Sequence, residues 1–179
     1  MKTKLIIAAV VLTLASAIQA LAQGGTVGWV GVAGACSIDS KSAPRKISFG
    51  TVSFNGVASG NIYVNCPIDA ITRIDPLSVN AWGLIFRNDN GVVGGVNKCT
   101  ISAQFIQVPN SNPTLPVLLG TFTTAGTSYS GFTTVDPLPI GAFLDVNNNQ
   151  YVVSISLNRV SGATCNPQIW VTFAENIII

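Results

Sequence analysis

The chain holds 179 residues, 48% of them hydrophobic and only 9% charged, with no histidine and a formal net charge of +2. Ordinary soluble domains are about 25% charged, so Asn, Thr, Ser and Gly must cover much of this surface. A chain without a basic cluster argues against nucleic acid or an anionic membrane as partner. The absence of histidine removes the commonest general base, the commonest metal ligand and every Ser-His or Cys-His pair.

Met1 to Ala22 reads as a secretory signal peptide. Lys2 and Lys4 form its positive end, Leu5 to Leu14 its apolar core, and Ala20-Leu21-Ala22 the small-x-small cleavage pattern. The apolar run is too short to span a bilayer. Residues 23–179 are expected to form one secreted domain, with no membrane contact after cleavage, in the periplasm, the extracellular space or the cell surface of a bacterium. The two leader lysines account for the net charge, so the rest of the chain is balanced.

Four cysteines follow the leader: Cys36, Cys66, Cys99 and Cys165. An even count behind a signal peptide implies two disulfides made in an oxidising compartment. Three pairings are open, and the sequential one, Cys36–Cys66 with Cys99–Cys165, is favoured. With no His and no Cys-x-x-Cys pair, no zinc site, other metal or cofactor is expected.

Gln23 to Ala35 is Gly-rich and is either a first strand or an arm that pairs elsewhere, because frequent Gly weakens a strand on its own. Ser37 to Lys46 reads as a loop. Ile47 to Phe54 reads as one strand with a bulge or close approach at Gly50. Asn55-Gly56 signals a tight turn, and Gly60 to Cys66 a strand that points Ile62, Val64 and Cys66 inward. Ile68 to Val79 has no period and is expected to cross between sheets. Ala81 to Arg87 is a strand with Trp82, Leu84 and Phe86 on one face. Asn88-Asp89-Asn90-Gly91 is a hairpin signal leading to a return strand over Lys98 to Val108.

Val117 to Thr124 and Tyr129 to Val135 follow as strands, and Pro137 with Pro139 keeps Asp136 to Ile140 out of any central position. After a turn at Asp145 to Asn149 comes the clearest strand, Gln150 to Val160. It places Tyr151, Val153, Ile155 and Leu157 on one face, and Val152, Ser154, Ser156 and Asn158 on the other. Gln168 to Ala174 is the last strand. No stretch keeps a helical period. The fold class is therefore all-β: an antiparallel two-sheet β-sandwich of jelly-roll or immunoglobulin/pilin-like type with two disulfides. The expected core is Ile62, Val64, Leu84, Phe86, Ile101, Phe105, Val153, Ile155, Leu157, Ile169, Val171 and Phe173.

Cys36, then Ile47-Ser48-Phe49-Gly50, then Val64-Asn65-Cys66 resembles the first half of the spore-coat-U type of secreted bacterial protein, itself pilin-like in layout. Trp82 to Gly91 with Asn148 to Val153 is similar to small secreted bacterial proteins of no assigned activity. The first resemblance implies a β-sandwich with a disulfide across its early strands and assembly at the cell surface. The chain departs from pilins at Ile177-Ile178-Ile179, where they carry an aromatic signature.

No catalytic residue is expected. There is no Ser-x-x-Lys, and the carboxylates Asp39, Asp69, Asp75, Asp89, Asp136, Asp145 and Glu175 mostly stand beside Pro, Gly or Asn, where Asp makes turns. Asp145 to Asn149 starts like a calcium loop but lacks its sixth-position Gly and twelfth-position Glu. Trp170, with Gln168 and Thr172, is expected on the outer face of the last strand, where an indole can stack on a sugar or anchor a partner. Trp29 and Trp82 are expected to be packing residues. The apolar ends, Gly24 to Val32 and Asn176 to Ile179, either add as strands to another copy or fold back on their own sheet. The expected role is therefore a non-catalytic structural or surface subunit that pairs with itself, or a carbohydrate-binding module that holds a surface glycan.

Overall fold

Strand alternation and punctuation by Gly, Pro and Asn carry most of the architecture. The computed structural model describes residues 25–68, 81–135, 138–140, 144–145 and 147–177. The expected leader, nearly all of the expected crossover at Ile68 to Val79, and Ile178 and Ile179 lie outside the described residues. The strands are β1 (Gly25–Val32), β2 (Ser37–Ile38), β3 (Arg45–Ser48), β4 (Thr51–Phe54), β5 (Gly60–Ile68), β6 (Ala81–Arg87), β7 (Val92–Val93), β8 (Val96–Asn97), β9 (Cys99–Pro109), β10 (Val117–Thr123), β11 (Phe132–Thr134), β12 (Leu138–Pro139), β13 (Asn149–Arg159) and β14 (Gln168–Ile177).

They form two main sheets, one ordered β10-β9-β13-β5-β2 and one ordered β11-β6-β14-β4-β3, with β1 also on β14 and β12 also on β6. The long pairings are antiparallel, so the fold is the expected all-β sandwich. In the first sheet β13 is central. Its inward residues Val153, Ile155 and Leu157 stand between Cys66, Val64 and Ile62 of β5 and Phe105, Ala103 and Ile101 of β9. All of these are buried, and each large apolar side chain so placed stabilises the fold by roughly 1.5–3 kcal/mol. The second sheet answers with Trp82, Leu84 and Phe86 of β6, Ile169 of β14, and Val52 and Phe54 of β4. Trp82 stacks on Phe105 across the interface at 5.8 Å, and Phe105 stacks on Tyr151 at 6.0 Å.

Both disulfides take the sequential pairing. Cys36–Cys66 fastens the residue before β2 to β5, and Cys99–Cys165 fastens the start of β9 to the loop before β14. Cys66, Cys99 and Cys165 are buried. Arg159, only 7% exposed, closes the Cys99–Cys165 end: it is in register with Cys99 and donates to the carbonyls of Gly56, Ala58 and Ala163.

Three expectations are corrected. Ile47 to Phe54 is not one strand but the hairpin β3–β4, with Phe49 and Gly50 at positive φ in its turn. The β-branched and aromatic residues on both sides of Gly50 favour strands, and that propensity hid the reversal. Asn88 to Gly91 does not join two paired strands. β6 and β9 lie in different sheets, and the segment carries the chain between them by way of the small β7–β8 hairpin. Finally, Val171 and Phe173 are buried, but on the outer side of their sheet, away from the sandwich interior. They form a separate cluster with Ile85.

Candidate functional site

The outer cluster and the candidate site share one cause. Along β14, Gln168 faces Arg87 and Ile169 faces Phe86, but Val171 faces Ile85, the very next residue of β6. Trp170 is therefore an extra residue, a β-bulge, and a bulge changes which way the following side chains point. Before it, Ile169 faces the core. After it, Val171 and Phe173 face outward, while Thr172 and Ala174 turn inward opposite Leu84 and Trp82. Phe173 stays buried because its ring lies on Gly83, where an added Cβ would meet the ring at 2.4 Å.

Of the residues expected to act together, Gln168 and Trp170 are half-buried on the outer face. Thr172 leaves them: it is wholly buried, and its hydroxyl has no partner among the described residues. This corrects the expected grouping. Simple alternation holds only as long as no residue is inserted.

The structure adds residues that the sequence did not single out. Phe132 of β11 pairs with Arg87, which pairs with Gln168, so the three form one row across the outer face. Phe132 is 52% exposed, and its ring sits 5.8 Å from that of Trp170. On the other side of the indole, the β3–β4 turn passes close by. A Cβ on Gly50 would lie 3.8 Å from Trp170 Cδ1 and 2.4 Å from Val32 Cγ1. Phe49 in that turn is 95% exposed. The outcome is an aromatic platform bordered by polar groups, set on rigid strands.

The polar border is ordered. Arg87 Nε donates to Asp89 Oδ2 in an ion pair, and Asp89 Oδ1 accepts a 2.6 Å hydrogen bond from the Gly131 amide. Asp89 thus ties the strand end of β6 to the residue before Phe132. The one sequence signal that could have found it is the Asp of Asn-Asp-Asn-Gly, which reads as turn chemistry.

Two other carboxylates, Asp39 and Asp145, serve their own loops, and Glu175 lies on β14. Asp39 accepts from the Lys41 amide at 2.7 Å. Asp145 accepts from the Asn148 side chain and from the Asn147 and Asn148 amides, and these bonds, the Asn148 side chain foremost, lower its pKa below the usual value. Asp69, Asp75 and Asp136 lie outside the described residues. Among the described residues, no group of three His, Cys, Asp or Glu could hold a metal ion, and no helix is long and apolar enough to cross a membrane. Trp82 is a packing residue, as expected, wholly buried. Trp29 is in register with Ala174. The amino-terminal segment folds back: β1 runs antiparallel to β14 of its own chain.

No protein-family model matches this chain, and no curated protein matches it. Among solved structures it is similar to a carbohydrate-binding module CBM36 in complex with calcium and xylotriose, at 14% identity and a TM-score of 0.43, covering 82% of this chain and 99% of that one. It is also similar to the CBM36-1 domain of a multidomain xylanase from the hindgut metagenome of Trinervitermes trinervoides, at 13% identity and a TM-score of 0.39, covering 84% and 98%. At those values the likeness carries no argument about this chain.

Proposed function

We propose that this chain is an exported, non-catalytic binding protein that holds carbohydrate on the outer face of its second sheet. The observation that supports this best is the bulge at Trp170, which sets the indole beside Phe132 with Gln168 and Arg87 in the adjoining row. Pyranose rings present C–H faces that pack on aromatic rings, and their hydroxyls need donors and acceptors close by. Two disulfides fit folding in an oxidising compartment outside the cytoplasm. The test is retention on a panel of soluble and insoluble polysaccharides, wild type against Trp170→Ala. Binding that falls at least ten-fold in the variant supports the reading, and binding that is unchanged removes it.

A second reading is favoured by β1. This strand is held to β14 by register from Gly25↔Ile177 to Val32↔Val171, and the short turn Ala33–Ala35 follows it ahead of the Cys36–Cys66 link. A strand so tethered can pair with β14 of a second copy without disturbing either disulfide. That would make the protein a self-assembling surface subunit, the role that the spore-coat-U resemblance implies. Discrete monomers at every concentration in light scattering, with or without residues 25–32, would remove it.

A further inference from the structure

We propose that the Arg87–Asp89 pair is the specificity element of the outer-face site and that it selects an uncharged sugar chain over an acidic one. This rests on the carbohydrate reading above and names its ligand class. Arg87 stands in the row between Phe132 and Gln168, directly across from both. Its Nε is committed to Asp89, and its two Nη groups have no partner among the described residues. The guanidinium side chain is 45% exposed and the carboxylate 30% exposed, so both reach the surface that a ligand on Trp170 and Phe132 would touch.

Charge decides the class. A lone arginine fork would favour a carboxylate, which it can bind with two parallel hydrogen bonds. Here Asp89 is fixed within the same cluster by the Gly131 amide and offsets that charge. A uronate arriving at the Nη groups would meet the Asp89 carboxylate as well, and like charges at such range repel. Sugar hydroxyls have no such conflict. A hydroxyl accepts from Nη and its neighbour donates to Asp89, so a vicinal diol can use both members of the pair at once. The next basic residue of the row, Lys46, follows Gln168 and Ser53 across β4 and β3, roughly 14 Å from Arg87 at about 4.8 Å per strand. At that distance salt screens it.

The experiment is affinity electrophoresis and calorimetry of the full mature chain with a neutral xylan, a neutral mixed-linkage glucan and polygalacturonate, at 50 and about 500 mM salt. The expected result is binding of a neutral polymer, changed less than two-fold by salt, with polygalacturonate at least ten-fold weaker. Arg87→Ala should lower neutral-polymer affinity about ten-fold, the loss of a hydrogen bond to a charged donor. Arg87→Lys should recover only part of it. Asp89→Asn keeps an oxygen for the Gly131 amide but removes the charge, so it should gain polygalacturonate binding that high salt abolishes. Wild type preferring polygalacturonate, or Arg87→Ala binding the neutral polymer as wild type does, overturns this inference and leaves the platform reading standing if Trp170→Ala still abolishes binding. No retention of any polymer overturns both. Thermal melts of each variant separate lost contacts from lost folding.

Discussion

Gly50→Ala should destabilise the protein by a sum that can be divided in two. Gly50 sits at φ +77°, where an L side chain is strained, and its added Cβ would stand 2.4 Å from Val32 Cγ1. The backbone part costs about 1 kcal/mol and the overlap about 1–3 kcal/mol, giving roughly 2–4 kcal/mol in all. The two parts separate in a double-mutant cycle. Val32→Ala removes the atom that the methyl strikes, so in that background Gly50→Ala should cost only the backbone part, about 1 kcal/mol. The assay is urea unfolding with the disulfides intact, where a mid-range slope of about 2 kcal/mol per molar turns the full effect into a midpoint shift of roughly 1–2 M. Tryptophan emission should shift with it, because the turn lies beside Trp170. A single-variant cost below about 0.5 kcal/mol, or a cost that Val32→Ala leaves unchanged, would refute the claim that glycine is there to let β1 and the indole close on the turn.

Arg159→Met should cost about 3–5 kcal/mol in the same unfolding assay, since it strands the carbonyls of Gly56, Ala58 and Ala163, each bond to a charged donor being worth about 1.5–3 kcal/mol and not fully additive. A loss under about 1 kcal/mol would show that water replaces the guanidinium there. Thr172→Val should leave polysaccharide binding unchanged and stabilise by about 1 kcal/mol, because it removes a buried hydroxyl that has no partner among the described residues; weakened binding would put Thr172 back on the ligand face. Burial pushes the Tyr151 phenol above its usual value of 10.0. The folded state therefore favours the protonated ring, so this contribution is complete below pH 10.0 and is lost as pH rises through the folded pKa. In absorbance titration the component that Tyr151→Phe removes should reach half-ionisation only above pH 10.0, and half-ionisation of that component at or below pH 10.0 with the fold intact would contradict this.

Much of the fold was legible because period-two alternation is a local property. Gln150 to Val160 shows it without interruption, and β13 is indeed the centre of its sheet, with Tyr151, Val153, Ile155 and Leu157 all buried. The site was legible in part. Trp170 and Gln168 were found as outward residues of the last strand, whereas Phe132, Arg87 and Asp89 were not. Phe132 stands on β11, Arg87 on β6 and Asp89 just past it, all brought to Trp170 by cross-strand pairing, and nothing in a one-dimensional pattern says which strands will be neighbours.

What the residues alone determined is the list of materials: four cysteines, no imidazole, few charges and strands that alternate. Only the tertiary structure decided where alternation fails. One extra residue at Trp170 turns Val171 and Phe173 outward and Thr172 inward, and one reversal at Phe49-Gly50 makes two strands from a run that reads as one. Register belongs to a pair of strands, not to either one. A bulge is an agreement between Ile169–Val171 and Ile85–Phe86, so it exists only once both are in place.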